Sequence, residues 1–101
     1  MENFDYPGVK GRLYLVTGAS SGIGRACSDI LSRLGATVIL NGRNEAELEK
    51  TMDALAGNGH IVASGNLIEL NFKKWLPELA EKAGKPLAGL AHCAGSHTPA
   101  P

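Results

Sequence analysis

Between Thr17 and Gly24 the chain reads TGASSGIG, with glycines at positions 18, 22 and 24. A loop stripped of side chains exposes its backbone N–H groups. Where such a loop opens a helix, those groups lack intrahelical partners and stand at the positive end of the helix dipole. The chemistry open to it is the holding of an anion, a phosphate above all. Gly18 would allow a sharp turn, Gly22 the close approach of a ligand to the backbone, and Gly24 the close seating of helix on strand. Ser20 and Ser21 add hydroxyl donors, and Ile23 completes the turn. A second cationic feature is Arg43, in Asn41-Gly42-Arg43-Asn44. Its planar fork of donors suits a phosphate, an interaction of about 1.5–3 kcal/mol.

Groups that could move protons or ligate metals are sparse. Tyr-x-x-x-Lys spacing occurs at Tyr6–Lys10 (YPGVK), but proline and glycine inside the spacer oppose the helix that would put both on one face. Tyr14 has no lysine four residues on. No Ser–His–Asp or paired-carboxylate arrangement stands out, so no catalytic residue is assigned. His92, Cys93 and His97 lack a fourth ligand and any familiar spacing, so no metal site is expected.

The glycine loop means most if a strand precedes it and a helix follows. Arg12–Thr17 (RLYLVT) is a short apolar, β-branched and aromatic run bounded by glycines, and reads as a buried strand. From Ile23 the apolar positions Ala26, Cys27, Ile30, Leu31 and Leu34 follow at 3, 4, 7, 8 and 11 residues. That spacing predicts one buried face of a helix closed by Gly35, with Cys27 in the core. Ala36–Leu40 is a second strand. Asn44 and Glu47 form a capping box for a helix striped by Leu48, Met52 and Leu55 and ended by Gly57 and Gly59. His60–Asn66 is a weaker third strand. Phe72, Trp75, Leu76, Leu79, Ala80 and Ala83 keep helical spacing, with a restart or kink expected at Lys74–Pro77. Pro86–Gly95 is a fourth strand. Strands alternating with helices over short connections predict an α/β domain, a parallel sheet with helices on both faces, and right-handed crossovers leave few topologies for it.

The chain has 101 residues, enough for one domain, with ten Lys plus Arg balanced by ten Asp plus Glu. That balance leaves no electrostatic footprint for nucleic acid or an anionic membrane surface. No apolar run approaches the ~18 residues of a membrane span, and residues 1–12 do not read as a secretory signal. Two cysteines without CxxC spacing fit a reducing compartment, so the cytoplasm is expected.

TGASSGIG matches the Thr-Gly-x-x-x-Gly-x-Gly loop of the short-chain dehydrogenase/reductase superfamily, and the chain resembles its beta-ketoacyl carrier-protein reductases over nearly its whole length. NGRN after the second strand, GNL after the third and HCAG after the fourth fall where that family places cofactor contacts. The resemblance implies a Rossmann-type sheet in the strand order 3-2-1-4, and hydride transfer between a nicotinamide cofactor and a carbonyl or alcohol substrate. It implies adenine contacts at Asn66 and Leu67, and a ribose contact at Cys93, Ala94 and Gly95, where two family asparagines are replaced by His92 and Cys93. An acid at the end of strand two would bind the ribose hydroxyls of NAD; Arg43 with no acid before Glu45 favours NADP. The family's Ser and Tyr-x-x-x-Lys lie beyond the fourth strand, so residues 1–101 read as the NADP-binding N-terminal part of such a domain, inactive alone. The competing reading is a non-catalytic nucleotide-binding or interaction module, and in either case the fourth strand is expected to pair with another copy or a partner.

Overall fold

In a computed structural model, residues 8–20, 22–65 and 72–93 are described, with backbone alone at 72 and 73. They form β1 (Leu13–Thr17), α1 (Gly22–Arg33), β2 (Thr37–Gly42), α2 (Glu45–Ala54), β3 (Ile61–Ser64), α3 (Phe72–Ala83) and β4 (Leu87–His92). All pairings are parallel, as the alternation of strands and helices predicts, and the sheet order is β3-β2-β1-β4, the order the family resemblance implies.

The central strands β1 and β2 are mostly apolar and largely buried because both their faces are covered. On one face Val16, Ala19, Val38, Leu40 and Leu48 form a buried cluster, joined by Cys27 and Leu31 of α1 and Met52 of α2. On the other, Leu13, Leu15, Ile39 and Ala63 are covered by Trp75, Leu76, Leu79, Ala80 and Ala83 of α3.

α1 seats only in part by the apolar stripe its spacing predicts: Cys27 and Leu31 pack on the core cluster, but other members of the stripe do not. Its buried residues are Gly24, Ser28 and Ser32, whereas Ile23 and Ile30 are 76% and 57% exposed. The reason is steric. A Cβ on Gly24 would run into the Gly18 carbonyl, so the helix lies against the β1–α1 loop along its smallest residues. The buried hydroxyls are satisfied: Ser28 Oγ donates to Gly24 O (2.8 Å), and Ser32 Oγ donates to Asp29 O (2.8 Å) while accepting from Ala56 N (3.0 Å). Cys27, Ile30 and Leu31 also line an apolar groove with Tyr14, Gly89, Leu90 and Ala91.

Gly35 closes α1 as expected, at φ +97°, with Ala36 N bonded to Leu31 O (3.0 Å). Asn44 caps α2 by accepting from Glu47 N (3.1 Å), but the Glu47 carboxylate does not turn back to complete a capping box; it is engaged by Arg25 and Lys50. α2 ends at Ala54, before the two glycines. α3 runs unbroken through Pro77, contrary to the expected restart. Pro77 removes one backbone donor, and the packing of α3 on the sheet offsets that loss. β2 extends through Asn41 and Gly42, so half of NGRN belongs to the strand.

Candidate functional site

In this strand order the chain leaves β1 toward β2 on one side and has β4 on the other. The crevice beyond the carboxyl ends of β1 and β4 is therefore the switch point where open α/β sheets bind ligands. The loop Gly18–Ser20, the first turn of α1, the end of β2 and Cys93 all lie at that end of the sheet.

Gly18 takes φ +64° and Gly22 φ +60°, the left-handed region that glycine enters most readily. Space around the two critical glycines differs. A Cβ on Gly24 has no room, whereas one on Gly22 meets nothing within 4 Å. Gly22 thus opens toward solvent at the mouth of α1, where helical N–H groups lack partners and no acidic residue occupies the first turn.

The loop's carbonyls are drawn the other way. Ala19 O accepts from buried Thr51 Oγ1 (3.0 Å), and Ser20 O accepts from Arg25 Nη2 (2.6 Å). Arg25 also donates from Nε to Thr51 Oγ1 (2.8 Å) and from Nη2 to Glu47 Oε1 (3.0 Å). Since N–H and C=O point oppositely across a trans peptide, tying Ala19 O to α2 turns the Ser20 N–H away from it. Ala19 N is bonded to Asn41 O (2.8 Å), which ties the loop to β2. The Arg25 hydrogen bond, then Lys50, hold the Glu47 carboxyl below its ordinary 4.5.

Arg43 is exposed in the bend after β2 and makes no hydrogen bond or ion pair among the described residues. Asn41, beside it, is committed to the fold: 4% exposed, it donates from Nδ2 to Ala63 O (2.8 Å) and Gly65 O (3.1 Å), fastening the end of β2 to β3.

Cys93 follows β4, its N–H held by Thr17 O (3.3 Å) and Thr17 Oγ1 (3.0 Å). Burial pushes the Cys93 thiol up from its ordinary value. His92 Nδ1 stands 3.0 Å from Thr17 Oγ1.

Of the residues singled out in the sequence, Gly18, Ser20, Gly22, Ile23, Gly24, Arg43 and Cys93 lie along this end of the sheet; Ser21, Asn66, Leu67, Ala94 and Gly95 are outside the described residues. Lys10 sits in a turn rather than a helix, and Tyr6 is outside the described residues. Thr51, Arg25 and Glu47 were not evident as partners of the loop. Arg25 and Glu47 are 22 residues apart, and no local pattern signals a contact made only when two helices pack.

A glycine loop feeding a helix at the switch point of a 3-2-1-4 parallel sheet defines the class of Rossmann-type nucleotide-binding folds. The family model for short chain dehydrogenases matches residues 12–101, and the chain belongs to that family. It is 32% identical over 74 residues to an uncharacterized oxidoreductase of Staphylococcus saprophyticus, covering 73% of this chain and 32% of that protein. It is 48% identical over 50 residues to the 3-oxoacyl-[acyl-carrier-protein] reductase FabG of Rickettsia prowazekii, covering 50% of this chain and 21% of that enzyme. A short chain dehydrogenase structure from Escherichia coli CFT073, complexed with NADPH, superposes with a TM-score of 0.75 at 34% identity, over 87% of this chain and 39% of that one. The chain thus spans well under half the length of these relatives.

Proposed function

We propose that this chain is the NADP(H)-binding part of a short-chain oxidoreductase acting on a carbonyl or alcohol substrate. The observation that carries this reading is the division of labour in the β1–α1 loop, whose Ala19 and Ser20 carbonyls are tied to Thr51 of α2 and Arg25 of α1 while Gly22 leaves the mouth of α1 open. The residues fit a dinucleotide: the start of α1, with Gly18, Ser20, Ser21, Gly22, Ile23 and Gly24, would hold the pyrophosphate. Arg43, without a partner among the described residues, would hold the 2′-phosphate, which favours NADP over NAD. Asn66 and Leu67 would contact the adenine, and Cys93, Ala94 and Gly95 the ribose side. When bound, the nicotinamide ring gives or takes hydride.

Among the described residues no Ser and Tyr-x-x-x-Lys pair stands beside this site, and the proposal is that residues 1–101 bind cofactor without turning over substrate. The reducing cytoplasm is the proposed compartment. Titration calorimetry with NADPH, NADH and adenosine 2′,5′-bisphosphate tests the assignment. The wild type prefers the phosphorylated ligands and Arg43→Ala loses that preference; equal affinities in the wild type defeat the role of Arg43. The exposed side chains of Ile30 and Leu90 favour a second reading in which β4 and α1 pair with another copy or a protein partner. Sedimentation over a concentration series decides it, a monomer throughout ruling out self-pairing.

A further inference from the structure

The end of β2 carries a buried amide. Asn41 is 4% exposed and follows Val38, Ile39 and Leu40, all fully buried. An amide taken out of water is costly unless its hydrogens are bonded. Here they are: Nδ2 donates to Ala63 O (2.8 Å) and to Gly65 O (3.1 Å). Turned over, the amide would set Oδ1 against the same two oxygens, so the bonds fix its orientation. The main-chain carbonyl of the same residue accepts from Ala19 N of the glycine loop (2.8 Å).

Backbone pairing of β2 with β3 runs to Gly42↔Ser64, and Gly65 N donates to Gly42 O (2.8 Å). The Asn41 side chain reaches one residue past the last pair, to Gly65 O. That oxygen belongs to the planar peptide unit whose nitrogen is Asn66 N. Asn41 therefore holds the peptide that leads into Asn66, while its own carbonyl holds the loop proposed for the pyrophosphate. An apolar residue would suit the strand but would leave this tie unmade.

We propose that Asn41 is a positioning residue for recognition of the base: by holding the Gly65–Asn66 peptide in fixed relation to the glycine loop, it sets Asn66 to accept from the adenine amino group. The inference rests on the dinucleotide site proposed above and adds the residue that gives that site its preference for adenine. A hydrogen bond to the base is made only within about 2.7–3.2 Å and weakens steeply as its angle bends. The pyrophosphate, held at the start of α1, does not depend on that distance. Loosening the Gly65 peptide therefore costs discrimination between bases before it costs binding of the phosphates.

Two substitutions separate this role from a purely structural one. Asn41→Asp keeps size and shape but has only acceptors to set against the two carbonyls. Asn41→Thr suits a strand, and its hydroxyl, one bond closer to the main chain with a single hydrogen, cannot serve both oxygens. Neither removes a group proposed to touch the ligand.

The test is titration calorimetry of the wild type and both variants with NADPH and with its hypoxanthine analogue, whose base carries a keto oxygen in place of the amino group, beside a melting curve for each protein. The wild type is expected to prefer NADPH by roughly fivefold, the worth of one neutral hydrogen bond. The variants keep binding the analogue and lose that preference. A folded variant that retains the preference, or that weakens both ligands by the same factor, overturns the positioning role. Should neither variant melt cooperatively, the ¹⁵N spectrum of the wild type decides. The Asn41 side-chain NH₂ signals shift more with NADPH than with the analogue, and equal shifts overturn the inference. A wild type that binds both ligands equally defeats base recognition at Asn66, and the inference with it, while leaving the phosphate site standing. Binding of neither ligand defeats the proposed function itself, and the role of Asn41 falls with it.

Discussion

The guanidinium of Arg25 donates from Nη2 to the carbonyl oxygen of Ser20 at 2.6 Å, and through the same nitrogen reaches Glu47 Oε1 at 3.0 Å. One side chain on the first turn of α1 thereby fixes the orientation of a loop peptide and ties it to α2. Removing that donor in Arg25→Met frees the loop without touching Arg43. The expected result is a loss of about 1 kcal/mol, roughly fivefold, in affinity for NADPH, NADH and ADP alike, so the NADPH/NADH ratio is preserved. Calorimetry with all three ligands, beside a melting curve, checks it. A changed ratio with ADP binding intact would contradict the assignment of Arg25 to the pyrophosphate loop.

Glu47 supplies a pH dependence. Its carboxyl is held below 4.5, first by the Arg25 hydrogen bond and then by Lys50. A carboxylate with a lower pKa folded than unfolded leaves the unfolded chain binding more protons, so stability rises with pH across that window. The contribution is fully present above the ordinary glutamate value and lost as pH falls through the depressed one. Urea unfolding from about pH 6 to about pH 3 in wild type and Glu47→Gln measures it. The Gln variant gives the flatter acid limb, and identical slopes would show that the pair contributes nothing.

Gly22 and Gly24 separate two kinds of glycine requirement. At Gly24 a Cβ collides with backbone that cannot swing aside, so Gly24→Ala unseats α1 and costs about 3 kcal/mol or more, by analogy with severe overpacking. At Gly22 there is space but φ is +60°, so Gly22→Ala costs only about 1–2 kcal/mol of backbone strain. Gly22→Val, by contrast, abolishes dinucleotide binding, because its side chain fills the opening. Denaturant midpoints and ligand titrations of the three variants test this order. A Gly22→Val chain with full affinity would remove the loop as the binding site.

Tyr14 and Gly89 form a complementary pair across β1 and β4. A Cβ on Gly89 would stand 2.8 Å from Tyr14 Cε2 and 2.9 Å from Cδ2, so the ring occupies the place of the missing side chain. Gly89→Ala alone is expected to destabilise by about 1–3 kcal/mol, through overpacking. With Tyr14→Leu in the background the same change costs less, giving an interaction energy of about 1 kcal/mol in a double-mutant cycle. Additive effects would mean that the ring moves aside freely.

The order of elements, their parallel sheet and the glycine loop between strand and helix were all legible in the chain, while the strand order 3-2-1-4 came with the family resemblance. They rest on short-range properties: apolar runs long enough for strands, helical spacing, and glycines where the backbone turns. The sequence by itself also pointed to Arg43, since a cation without an acid beside it at a strand end can be read from four consecutive residues. The tertiary structure decided what depends on residues distant in the chain. It turned the small face of α1 inward and left Ile23 and Ile30 outside, because Gly24 must meet Gly18 and an apolar stripe does not reveal how near two backbones come. It used His60 to extend the sheet, Nδ1 accepting from Val38 N (3.1 Å) while Nε2 donates to Ala56 O (2.7 Å), where the sequence showed only the start of a strand. It also joined Arg25 to Thr51, a contact across 26 residues of chain that forms only when α1 is packed against α2. Periodicity names the faces a helix offers; the packing of the whole sheet selects which one is buried and which side chains meet.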